Sequence, residues 1–168
     1  NDMYAKDASL KSSGTMKIRM ESGEYCGGDA PYGYKRSTDE KGNPTTVPDA
    51  LTAPYVVKIF EKLLAGQSYL GISREYNEML LTPPRLYART GKLFLNCLQE
   101  AETHWCASTI KRIAENRHYL GNTYTHKTRT SLLTSEKNTI LDKSEWNMHE
   151  NTHAALISEE VFEKVQEI

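Results

Sequence analysis

Apolar residues at positions 56, 57, 59, 60, 63 and 64 recur at helical spacing and predict a helix over residues 54–65. Thr52 is a candidate N-cap, and Pro54 falls in the first turn, where a missing N–H is harmless. Gly66 ends the helix. After Gln67 and Ser68 a second helix runs to about Leu80, with Ile72, Tyr76, Met79 and Leu80 facing inward. Two helices joined by a tight glycine-containing turn form a helix-turn-helix-like unit, although any αα-hairpin has the same pattern. A third helix is predicted over residues 107–115, packing Ile110 and Ile113 on Trp105. A last helix opens at Ser158, with Glu159 and Glu160 at its positive end and Val161, Phe162 and Val165 on its apolar side.

Elsewhere the pattern is weaker. Residues 2–22 read as a helix, bent or frayed near Gly14 because Ser12, Ser13, Gly14 and Thr15 are poor helix formers; Gly23 suits its end. Glycines flanking Pro31 predict a turn over residues 27–34, and residues 39–44 a hairpin tip, with residues 45–47 returning as a short strand. Residues 119–129, rich in Tyr and Thr, read as a strand, residues 130–144 as a polar hairpin or loop, and residues 146–157 include a returning strand. Residues 81–104 read as a long loop with a short helix around residues 92–98. The fold class expected is α+β: a helix-turn-helix-like helical cluster with a small antiparallel sheet or hairpins.

A chain of 168 residues supports one hydrophobic core plus an appendage. No apolar run approaches the ~20 residues of a membrane span, so no membrane partner is expected. The polar start, without an initiator Met, is unlike a signal peptide and suggests an excised or processed product. Cys26, Cys97 and Cys106 are odd in number and widely spaced, which points to reduced thiols and a cytoplasmic location. The net charge of −1 taken alone speaks against nucleic acid, but its distribution does not. Residues 105–130 hold five basic residues against Glu115 alone, whereas residues 136–168 hold eight acids against three lysines. One region can attract phosphate while another turns from it.

Candidate chemistry is sparse. No nucleophile sits on a recognisable elbow, and no phosphate-cradling Gly-x-x-x-x-Gly-Lys occurs. His149-Glu150-Asn151-Thr152-His153 matches the zinc-hydrolase spacing His-Glu-x-x-His, which requires one helical turn to bring both imidazoles to one face. Asn151 and Thr152 are weak helix formers, and the flanking residues favour extended backbone, so no metal or other cofactor is expected. The third helix offers more. Lys111 and Arg112 lie near its middle, and Ser108 and Thr109 lie at its start, where hydroxyls and free N–H groups can hold phosphate. A guanidinium can also read a guanine edge. On the residues alone, a duplex-facing helix and an ordinary solvated face stand side by side. A transcriptional regulator using the 54–80 helix pair is a further reading.

Several blocks, in order, resemble the recombinase domain of the large serine recombinases, the group of phage integrases and TnpX-type transposon resolvases. Gly28-Asp29-Ala30-Pro31-Tyr32-Gly33-Tyr34-Lys35 resembles the family's Pro-Tyr-Gly-Tyr signature. Val57, Ile59 and Phe60 with Gly66 and Ile72 resemble its first helix pair. Trp105, Ile110, Ile113, Asn116, Tyr119 and Gly121 resemble a further block, and Glu145, Trp146, His153, Ile157, Phe162 and Gln166 its closing segment. The resemblance implies a double-stranded DNA partner at an attachment or transposon-end site. It also implies a dimer or tetramer of the full-length protein, in a bacterial or phage-encoded, nucleoid-associated setting. It further implies strand exchange by a serine in a catalytic domain preceding Asn1, so that this chain binds DNA without cutting it. Residues 1–25 would be the connecting helix and residues 26–168 the DNA-binding domain. Helix three, with Ser108, Thr109, Lys111 and Arg112, would enter the major groove. Arg117, His118, Lys127 and Arg129 would hold phosphates, and the 23–34 segment would lie along the duplex near the minor groove, with Lys35 and Arg36 adding charge.

Overall fold

A computed structural model describes residues 2–98, 102–125, 127–129 and 139–168. The element order is α1 (Asp2–Glu21), β1 (Tyr34–Thr38), β2 (Pro44–Pro48), α2 (Ala53–Leu64), α3 (Tyr69–Glu78), α4 (Pro84–Thr90), α5 (Ala107–Ala114), a 3-10 turn (Arg117–Leu120), β3 (Thr123–Thr125), β4 (Thr128–Arg129), β5 (Thr139–Ile140), a second 3-10 turn (Lys143–Glu145), β6 (Asn147–His149) and α6 (Glu159–Gln166). The strands form three antiparallel pairs, β1–β2, β3–β6 and β4–β5. The α+β expectation holds, with the helices forming the core and the strands decorating it. No helix among the described residues is long and apolar enough to cross a membrane.

The apolar stripe of α2 is the centre of that core. Val56, Ile59, Phe60 and Leu63 are fully buried, and α2 packs on α3, α5 and α6. Phe60 meets Phe162 of α6 with ring centroids 6.1 Å apart. Pro54 lies in the first turn as expected, but the Thr52 side chain makes no cap bond; the Asp49 carbonyl accepts from Thr52 N and Ala53 N instead. Ser68 and Ser158 do cap, accepting from Gly71 N and Val161 N. α3 ends at Glu78, two residues earlier than the periodicity suggests. Leu80 takes a left-handed φ of 57°, and Met79 is exposed. That reversal sends Leu81 into the core, where it is fully buried.

The 81–104 segment differs from expectation. Its helix is α4, upstream of the 92–98 stretch, because Pro84 fits a first turn, Leu86 is buried and Gly91 closes the helix in the left-handed region. The chain then runs irregularly, with Phe94 bridged to Leu81. α1 is continuous through Gly14, so the helix is not frayed there.

The expected 119–129 strand is also broken. Tyr119 lies in the 3-10 turn, and its hydroxyl donates to the Tyr32 carbonyl at 2.7 Å inside the core. Gly121 follows at φ 84°, and its carbonyl accepts from Thr152 N and His153 N. Only then does β3 begin, pairing Thr123 with His149. The returning strand is correspondingly short, because the residues after His149 are spent on these turn contacts. The tip of the expected polar hairpin, residues 130–138, lies outside the described residues.

β1 and β2 pair Tyr34 with Pro48 and Arg36 with Thr46. The Asp39 carboxylate closes the tip by accepting from Lys41 N and Asn43 N, each at 2.8 Å. Gly33, which leads into β1, has φ 95°, and a Cβ there would lie 2.7 Å from Val56 Cγ2. Gly33→Ala is therefore expected to lower stability by at least about 1–3 kcal/mol through backbone strain alone. Urea denaturation checks this; an unchanged midpoint would refute the packing described.

Candidate nucleic-acid interface

α5 separates its faces cleanly. Ile110, Ile113 and Ala114 are buried, while Ser108, Lys111, Arg112 and Glu115 are exposed, at spacings of three and four that place them on one face. The start of the helix is clamped. Trp105 is buried, and its Nε1 donates to the Leu81 carbonyl at 2.9 Å. Asn77 of α3 both accepts from Trp105 N and donates to Trp105 O, each at 2.9 Å. A helix fixed by its buried side and by a two-bond clamp presents its outer face in a defined orientation.

The expected site residues divide by what else they touch. Lys111 lies 3.7 Å from Glu115 one turn on, so part of its charge is balanced locally. Arg112 is exposed and has no ion pair among the described residues. Ser108 and Thr109 sit at the helix start, with hydroxyls 3.1 and 3.2 Å from Cys106 Sγ. Arg117 is partly engaged at the surface, 3.4 Å from Glu163 and over the Phe162 ring. Lys127 is exposed, with Nζ 5.2 Å from the Trp146 ring centroid and 5.9 Å from that of Tyr124; desolvation lowers its pKa. Lys35 and Arg36 are both exposed on β1. The Arg129 side chain lies outside the described residues.

His118 is a correction. It is buried, its Nε2 lies 2.9 Å from Thr46 Oγ1, and its ring stacks on His153 at 3.9 Å. Burial first, then the neighbouring His153, pushes its pKa down to about 3. A buried neutral imidazole offers no charge to a phosphate; His118 joins the β1–β2 hairpin to the closing segment instead.

The 149–153 stretch is likewise not a metal-binding helix. His149 ends β6, Asn151 is left-handed with φ 53°, and His153 turns in to bond the His118 carbonyl through Nε2 at 2.8 Å. The two imidazoles are therefore not stacked one helical turn apart, and the zinc-hydrolase geometry is not formed.

Two features escaped the sequence reading. Cys106 is exposed at the N-cap of α5, and the Ser108 and Thr109 hydroxyls, with nearby backbone N–H groups, lower its pKa to about 7. A cysteine immediately before Ala-Ser-Thr at a predicted helix start was the available signal. The second is Arg85 on α4, exposed and without an ion pair among the described residues, whereas Arg89 one turn on pairs with Glu102 at 3.1 Å. With the helix placed over residues 92–98, Arg85 had no element to sit on.

A family model described as Recombinase matches residues 51–168. The crystal structure of an LSR–DNA complex superposes with a TM-score of 0.53 at 14% identity, covering 94% of this chain and 36% of that chain. The similarity at that identity is one of fold, and the chain spans about a third of the length of that neighbour. Among curated proteins, no match is found.

The histidine pair fixes a pH dependence. Both rings have folded-state pKa values below the ordinary value near 6.5, so below that pH the unfolded chain takes up protons that the folded chain refuses. Stability is expected to be full above about pH 6.5 and to fall as pH drops toward the His118 value of about 3. Thermal midpoints between about pH 7.5 and 5, above the ordinary carboxylate range, check this. His118→Gln is expected to flatten the slope; an equal slope in the variant would overturn the assignment.

Proposed function

The chain belongs to the Recombinase family, and from that premise we propose that it binds double-stranded DNA sequence-specifically in site-specific recombination by a large serine recombinase. In this reading α5 enters the major groove. Arg112 reads a base edge, and Lys111, Ser108 and Thr109 contact the adjacent backbone. Lys127, Arg129, Lys35 and Arg36 hold flanking phosphates. Arg117 adds a phosphate contact only by leaving Glu163. Residues 26–168 form the DNA-binding unit, and α1 with the turn after it, residues 1–25, connects it to a catalytic portion that supplies the serine for strand exchange in a dimer or tetramer. Such a protein works on a cell's or phage's own DNA, in the cytoplasm.

The observation that supports this reading best is the clamped, outward-facing α5, whose last turn carries a guanidinium with no ion pair among the described residues. A single module of this kind is expected to bury roughly 600–1,000 Å² on DNA.

A preferred duplex can be selected from a randomised library by rounds of binding. Arg112→Ala should then weaken binding to that duplex by about 1–3 kcal/mol while leaving a scrambled duplex almost unaffected. Equal loss on both would make Arg112 a phosphate contact. The absence of any preferred duplex, with the wild-type chain folded, would end the reading.

A further inference from the structure

A cleft of about 620 Å³ opens between the 29–36 segment and α4. One wall is the Pro31, Tyr32 and Tyr34 side of the turn; the other is the Arg85, Tyr87 and Ala88 side of the helix. Three cations line it, Lys35, Arg36 and Arg85, and two acids, Asp29 and Asp49. The acids are not equivalent. Asp49 is buried, and its carboxylate is used within the fold, accepting from the Tyr87 hydroxyl at 2.6 Å and from Leu51 N at 3.1 Å. Asp29 alone is exposed. The three cations are exposed, and none has an ion pair among the described residues. An open groove with a surplus of unpaired positive charge attracts an extended anion, and a guanidinium matches a phosphate with two parallel hydrogen bonds.

The cleft is also rigidly joined to α5. The buried ring of Tyr32 meets Tyr87 of α4 edge-on at 5.8 Å and Trp105, the residue two before α5, edge-on at 5.3 Å. Aromatic edge-to-face contacts of this kind hold the two elements in a fixed relation. The cleft therefore keeps a fixed position relative to α5.

We propose that this cleft is a second duplex contact, in which Arg85, with Lys35 and Arg36, grips the sugar–phosphate backbone of the DNA strand beside the α5 site. The assignment rests on the DNA-binding reading above and adds Arg85 to it. The grip is sequence-independent, because it touches phosphate and not base edges. It sets how far along the duplex α5 lies, and it gives a use to the Arg85 guanidinium that lines the cleft opposite the Pro-Tyr-Gly-Tyr turn.

The test compares Arg85→Gln, Lys164→Gln and the wild-type chain, on the selected duplex and on a scrambled one, across a salt series. Lys164→Gln makes the same change in net charge from α6, where Lys164 pairs with Glu160. Arg85→Gln is expected to lower the log–log salt slope by about 0.9 and affinity by about eight-fold at roughly 0.1 M salt, equally on both duplexes. Lys164→Gln should leave the slope unchanged. An unchanged slope for Arg85→Gln, or the same loss in both variants, overturns the cleft while leaving α5 binding in place, provided that Arg112→Ala still costs affinity on the selected duplex. Failure of the wild-type chain to bind either duplex overturns the DNA-binding reading itself, and the cleft with it.

Discussion

The hydrogen bond from the Tyr119 hydroxyl to the Tyr32 carbonyl, 2.7 Å long and wholly buried, ties together segments that lie far apart in the chain. The Tyr119 ring stacks on Tyr34 at 5.9 Å and meets Phe60 of α2 edge-on at 6.1 Å. Its backbone carbonyl accepts from Leu156 N and Ile157 N. The turn before β1, the central helix, the exit from α5 and the closing segment thus share one residue. Burying a phenol this deeply is costly unless its O–H finds a partner, so the Tyr32 carbonyl and the Tyr119 ring constrain each other's position. Burial raises the Tyr119 pKa well above its ordinary value, which keeps the hydroxyl a donor.

Tyr32, held in this way, touches Trp105 and Tyr87, and through them α5 and α4. Rigidity of the core thereby becomes rigidity of the outer surface. The exposed face of α5 and the cleft beside α4 are separated in sequence but belong to one packed unit.

Net charge is a poor guide to that surface because neutralisation is local. Arg117 is balanced by Glu163, Lys111 by Glu115, Lys62 by Glu75 and Arg89 by Glu102. The acids of α6 that make the whole chain slightly negative are spent partly on such pairs. Arg112, Lys35, Arg36 and Arg85 are left without ion pairs among the described residues, and counterion release depends on cations of this kind, not on the sum over the chain.

The sequence by itself determined the elements whose pattern is local. The α2 stripe, the inward Ile110 and Ile113 of α5, the Ser158 cap and the hairpin tip at Asp39 all follow from side-chain period and turn chemistry within a few residues. The exposed basic face of α5 was legible for the same reason. Tertiary structure alone decided the rest, because those outcomes depend on partners distant in the chain. It broke the 119–129 strand by drawing Tyr119 to Tyr32, and it turned His118 from a surface cation into a neutral buried ring against Thr46 and His153. It placed Pro84 in a helix backed by a buried Leu86, which gave Arg85 a cleft to face. Periodicity reports which side of an element is buried, but which residues meet across the core is set only when the chain closes on itself.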